Sequence, residues 1–110
     1  MLQKDIYLVD LNPTKGKEQM GKRPAVIISG NTMNKNLGIF IICPISSKIK
    51  NYVGCVKVIK NKTNKLSEDS EIITFQIRTI AKERMFKKIG EITNEQLKEV
   101  FDSLKEIFYY

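Results

Sequence analysis

Arginine is scarce in this chain, which holds sixteen lysines but only Arg23, Arg78 and Arg84. Arg23 ends a polar loop bracketed by Gly16 and Gly21 and directly precedes Pro24, where the apolar run Ala25 to Ile28 begins. A guanidinium rooted beside a ring-locked proline at the mouth of a buried strand is held rigidly. Its planar fork matches a phosphate in a way a lysine cannot. The loop leading to it carries Lys15, Lys17 and Lys22 against one carboxylate, Glu18, with the amide of Gln19 beside them. A second cluster, Ser46-Ser47-Lys48, closes the apolar run Ile39 to Pro44 with two hydroxyls and a cation. A third, Gln76-Ile77-Arg78, adds an amide and another guanidinium. What is missing is as telling. There is no histidine, and residues 12–65 offer no carboxylate besides Glu18, so neither an imidazole acid–base pair nor a two-metal site is expected. Any chemistry must run on Arg, Lys, Glu and hydroxyl groups, without a metal or other cofactor.

The charge distribution points to a polyanionic partner. The chain carries a net +7, yet residues 12–65 alone hold eleven basic groups against Glu18, a net of +10 that leaves the remainder at −3. A lysine-rich composition can also arise without any partner, and for that reason the three arginines are the sharper signal. The 110 residues are enough for one domain, residues 1–110, with a single core. No apolar run approaches the ~20 residues of a membrane span, and Met-Leu-Gln-Lys-Asp leads directly into a strand pattern without a secretory signal. A cytoplasmic location is expected, and with it Cys43 and Cys55 read as reduced, buried small hydrophobes rather than a redox pair.

Five strands are predicted to position these groups: Asp5–Leu11, Pro24–Ser29, Ile39–Pro44, Gly54–Ile59 and Glu71–Gln76, with a shorter sixth at Phe86–Ile89. The continuous apolar runs Val26 to Ile28 and Ile39 to Ile42 belong at the centre of a sheet, whereas Val56 and Val58 alternate with Lys57 on a half-exposed strand. Asn61 to Asn64 reads as a turn. Thr93 and Gln96 have the spacing of a capping box, followed by Leu97, Val100, Phe101, Leu104, Ile107 and Phe108 on one helical face. The aromatic end, Phe108-Tyr109-Tyr110, is expected to pack in the core or an interface. A mainly β fold with a C-terminal α-helix follows, the sheet bent into a compact antiparallel barrel.

The run Asp5-Ile6-Tyr7, Asn12-Pro13-Thr14, Gly16, Glu18-Gln19, Gly21, Arg23-Pro24 resembles, in register and without a gap, the opening motif of the MazF/PemK toxin endoribonucleases. The resemblance extends along the whole chain and implies the family's small SH3-like (PemK/CcdB-like) antiparallel barrel. It implies a sequence-specific, metal-independent endoribonuclease that cuts single-stranded RNA as the toxin of a type II toxin–antitoxin system. Such cleavage needs attack by the ribose 2′-hydroxyl on the adjacent phosphorus, with donors for the charged phosphorane. By the resemblance, Arg23 and Ser46 are catalytic, Ser46 standing where most members have threonine. Glu18 and Ser47 are candidates for support, and Lys15, Lys17, Gln19, Lys22, Lys48, Gln76 and Arg78 for RNA contact. Two departures matter: Phe75 stands where many members carry aspartate, and Lys17 where several have histidine. The family also implies a homodimer and neutralisation by the acidic tail of a MazE-like antitoxin. Two other readings share the fold or the charge: a CcdB-like gyrase poison that cuts nothing, and a non-enzymatic nucleic-acid-binding barrel.

Overall fold

The two apolar runs form the middle strands of the sheet, as their lack of alternation requires. The computed structural model describes residues 1–18 and 21–109. Strands β1 (Asp5–Asp10) and β2 (Lys22–Ile27) are followed by a short helix α1 (Asn31–Leu37) and the long strand β3 (Ile39–Ser46). Then come β4 (Cys55–Val58), β5 (Ser70–Ile73), β6 (Arg78–Ala81), β7 (Met85–Glu91) and helix α2 (Asn94–Tyr109). The seven strands make one antiparallel sheet in the order β4–β5–β3–β2–β1–β7, with β6 also on β3. Apolar clusters lie on both faces of the centre. Val26, Cys43 and Ile45 point to one, and Ala25, Ile27 and Ile42 to the other. Leaving any one of these large aliphatic side chains exposed would forfeit about 1.5–3 kcal/mol.

Helix α2 begins with the reciprocal pair anticipated from sequence. The Thr93 N–H donates to the Gln96 amide oxygen (2.9 Å) and the Gln96 N–H to the Thr93 hydroxyl (3.1 Å). Val100 and Leu104 bury themselves against Val56 and Val58 of β4, so the helix covers that edge strand. Phe101, Phe108 and Tyr109 were expected on the packed face or in an interface; within this chain they stay exposed, Tyr109 by 81%. Tyr110 lies outside the described residues.

Several boundaries differ from the sequence reading. Strand β3 runs on to Ser46, so that residue belongs to the strand rather than to the loop after it. Strand β5 stops at Ile73 and gives way to a 3-10 turn, Thr74–Gln76, before a strand not foreseen, β6. Helix α1 was also unforeseen, because Asn-Thr-Met-Asn-Lys-Asn-Leu has no apolar period. It is held by polar contacts: the buried Asn34 amide donates to the Ser29 carbonyl (2.9 Å), and the Ser29 hydroxyl accepts from the Ile41 N–H (3.1 Å).

The sheet is bent but not closed, since the edge strands β4 and β7 do not pair. The loop after β4 fills the gap. Its buried Asn64 donates to the Ile59 carbonyl (2.8 Å) and accepts from Asn61 (3.0 Å) and Leu66 (3.1 Å), which fixes a rigid plug. The Glu91 N–H reaches the Thr63 carbonyl at 3.2 Å. Gly90 makes this approach possible, because a Cβ there would overlap the backbone of Thr63 and Asn64. Gly90→Ala is therefore expected to cost about 2 kcal/mol or more of stability. Urea unfolding checks this, and an unchanged midpoint would mean that the plug does not press on β7.

Candidate functional site

Register places the chemistry. Ala25 pairs with Pro44 across β2 and β3, and continuing that ladder by two residues sets Arg23 beside Ser46. Ser46 pairs in turn with Glu71 of β5. A guanidinium, a hydroxyl and a carboxylate thus stand in one row across three neighbouring strands, with roughly 10 Å from first to last at the usual strand spacing. All three line a cleft of about 450 Å³. The β1–β2 loop contributes Lys17, the β3–β4 loop Lys48, Lys50 and Tyr52, and the 3-10 turn Phe75 and Gln76. Cys55 and Ile73, paired across β4 and β5, form part of the floor.

Each wall has a reason to hold its shape. The Ser46 hydroxyl oxygen accepts the Lys48 N–H at 3.1 Å, which leaves the hydroxyl proton available to a ligand. Glu71 is 3% exposed. One of its carboxylate oxygens accepts the Lys50 N–H (3.1 Å) and the other the Asn51 N–H (3.3 Å), where the backbone turns through a left-handed φ of 55°. The buried acid therefore pins the loop that carries Lys48, Lys50 and Tyr52. The β1–β2 loop is gripped from elsewhere in the chain. Gln76 donates to the Lys17 carbonyl (3.2 Å), Arg78 to the Leu11 carbonyl (3.0 Å), and Arg84 to the Asn12 carbonyl.

The predicted residues divide accordingly. Arg23, Ser46, Lys17, Lys48 and Gln76 come together in the cleft. Ser47, next along the chain, faces a neighbouring hollow that Arg23 also borders. Glu18 turns back on its own loop, accepting the Lys15 N–H at 2.6 Å, and lines a smaller hollow with Arg78. The Lys22 ammonium sits 4.4 Å from the centre of the Phe86 ring. Gln19 lies outside the described residues. Sequence reasoning missed Glu71, Lys50 and Tyr52. A carboxylate inside the apolar strand Ser-Glu-Ile-Ile was the available signal for the first. Phe75, noted in the sequence only as a lost aspartate, is a half-open ring on the cleft wall.

Among the described residues no cluster of His, Cys, Asp and Glu could hold a metal ion. Cys43 is buried as expected, whereas Cys55 is half-buried at the cleft. Burial pushes the Cys43 thiol up to about 12. Burial, then the charge and hydrogen bond of Glu71, push Cys55 up to about 11.

Comparison with known proteins gives a consistent answer. Residues 2–108 match the family described as the PemK-like, MazF-like toxin of type II toxin–antitoxin systems. The chain belongs to that family. It is 37% identical over 105 residues to the endoribonuclease MazF of Staphylococcus saprophyticus, a match covering 94% of this chain and 88% of that protein. Its fold superposes on the crystal structure of MazF from Deinococcus radiodurans with a TM-score of 0.85, at 22% identity and over 100% and 97% of the two chains. A mycobacterial endoribonuclease solved in complex with its cognate antitoxin gives 0.79, at 18% identity and over 98% and 94%.

Both thiols are held protonated, Cys55 by burial and then by Glu71, so little of either is thiolate at pH 8. Iodoacetamide is expected to alkylate the native protein at least tenfold more slowly per thiol than the urea-unfolded chain. Equal rates would contradict a cysteine kept inert in the cleft.

Proposed function

We propose that this chain is a sequence-specific, metal-independent endoribonuclease acting on single-stranded RNA in the cytoplasm, as the toxin of a type II toxin–antitoxin pair, with residues 1–110 as one toxin domain. The observation that carries the assignment is the Arg23–Ser46 row inside a cationic cleft, in a chain 37% identical to an endoribonuclease. Arg23 binds two oxygens of the scissile phosphate and stabilises the charge that builds as the 2′-oxygen, its proton passing to water, bonds to phosphorus and the 5′-oxygen departs, taking a proton from water. It is a clamp rather than a base, because a guanidinium keeps its proton at neutral pH. The Ser46 hydroxyl donates a further hydrogen bond to the phosphoryl oxygens. Lys17, Lys48 and Lys50 supply the field that draws in the strand, and Gln76 a neutral amide for a base edge. Tyr52 and Phe75, both exposed on the cleft wall, offer rings on which bases stack, worth about 1–3 kcal/mol each. Stacking rings interleaved with cations suit an unpaired RNA strand better than a protein target, which sets the gyrase-poison reading aside.

Arg23→Ala is expected to lower cleavage of single-stranded RNA about a hundredfold or more, measured with EDTA present, with unfolding stability changed by only ~1 kcal/mol. Arg23→Lys should also fail substantially, because it lacks the fork, and Ser46→Ala should be impaired less. Cleavage by a well-folded Arg23→Ala protein at the normal rate would remove the assignment. A protein that binds RNA without cutting it would instead be the non-enzymatic barrel.

Two partners complete the reading. The exposed Phe101, Phe108 and Tyr109 on α2 give each protomer an apolar surface that a twofold partner would cover, forming a homodimer. An acidic, initially disordered antitoxin tail of the MazE type would be drawn to the same cations as RNA. Light scattering is expected to report about twice 12.7 kDa at micromolar concentration. The tail should displace labelled RNA, and less effectively as salt rises. A monomer throughout, or simultaneous binding of tail and RNA at unchanged affinity, would refute the respective part.

A further inference from the structure

Arg23 borders two concavities, and the reaction uses only one. The second, of about 390 Å³, opens on the opposite face of the sheet at the same end of the strands. Its floor is a row of residues from four strands. Leu8 pairs with both Pro24 of β2 and Lys87 of β7, and continuing the β2–β3 register by one residue adds Ile45. Leu66 of the plug closes one side. Lys65, beside it, is fixed at its root: its N–H donates to the Asn61 carbonyl at 2.9 Å, and its φ is 54°. Ser46 and Ser47 alternate across the strand end, so one hydroxyl faces each concavity.

The lining combines an apolar floor with a cationic rim. Arg23, Lys65 and Lys87 face the hollow against one carboxylate, Glu68. Among the described residues, neither the Lys65 nor the Lys87 ammonium forms an ion pair. An apolar surface edged by cations fits a nucleotide, with its base or ribose on the floor and its phosphate at the rim. We propose that this hollow is a second nucleotide subsite. On the reading that RNA is cut at the Arg23–Ser46 row, the strand bends over the sheet end at Arg23. Its neighbouring nucleotide packs on Leu8 and Pro24, and a flanking phosphate lies between Lys65 and Lys87. An unpaired strand can make such a bend, whereas a duplex cannot, so the subsite also favours single-stranded substrates. The unbroken path through Arg23 favours RNA over an acidic peptide, which has no use for a floor shaped to a base.

The test compares wild-type protein with Lys65→Gln/Lys87→Gln and with the charge-retaining Lys65→Arg/Lys87→Arg. The substrates are a minimal RNA spanning the cleaved bond and longer RNAs extended on the 5′ or the 3′ side. Binding of an uncleavable 2′-deoxy version of each is measured across a salt series. The Gln double variant is expected to cut the minimal RNA normally. It should lose tenfold or more in kcat/KM on one extended RNA, through KM, and its salt slope for the extended 2′-deoxy oligomer should fall by about 0.7 per lost phosphate contact. The Arg double variant should restore both. Equal binding and cleavage of every length by wild type and the Gln variant would overturn the subsite. Absence of cleavage by wild type would overturn the nuclease reading instead, while the 2′-deoxy oligomers would still report on the hollow.

Discussion

The site depends on how β3 shares its backbone hydrogen bonds. One edge pairs with β2, while the other pairs with β6 along Ile39–Ile42 and then with β5 at Ile45–Ser46. Pro44, which has no N–H to give, stands between those two ladders and interrupts neither. The handover sets side chains of β2, β3 and β5 side by side at the strand end. Without β5 in that place, Ser46 would have no carboxylate across from it, and the loop beyond would have no anchor.

Electrostatics at this strand end are lopsided by design of the chain. Four cations, Lys17, Arg23, Lys48 and Lys50, surround a single buried acid, Glu71. A bare carboxylate under a phosphate would oppose binding. Here its oxygens are occupied by two main-chain N–H groups, so its energy goes into fixing the loop geometry and part of the desolvation cost is offset. Burial, and after it the same carboxylate, keep the nearby Cys55 thiol neutral. The cleft therefore keeps a net positive field without adding a reactive sulfur to it.

The sequence disclosed what depends on local periodicity. The central strands, the capping box and the Arg23-Pro24 junction follow from patterns within a few residues, and each is in place. Helix α1 was hidden because polar bonds around Asn34 hold it rather than an apolar stripe. The open sheet was hidden because edge pairing between β4 and β7 is a tertiary matter, and the Asn61–Leu66 plug looked like an ordinary turn. At the site, Arg23 and Ser46 were legible as chemically apt residues at strand ends. Glu71 was not, because it stands outside the basic stretch 12–65, and only strand pairing brings residue 71 beside residue 46. Arg78, read from its type as a candidate ligand contact, also reaches the Leu11 carbonyl and so acts as a brace, which only the fold discloses.

That brace belongs to a wider arrangement. Gln76, Arg78 and Arg84 all hold the β1–β2 loop by its carbonyl oxygens, from residues 59 to 72 positions away in the chain. Every amino acid supplies a carbonyl, so the loop keeps its path whichever side chains it displays. Side chains there can be exchanged without rebuilding the scaffold. A lineage carrying this architecture can therefore vary the face of one loop by point substitutions, while the row of Arg23, Ser46 and Glu71 stays where it is.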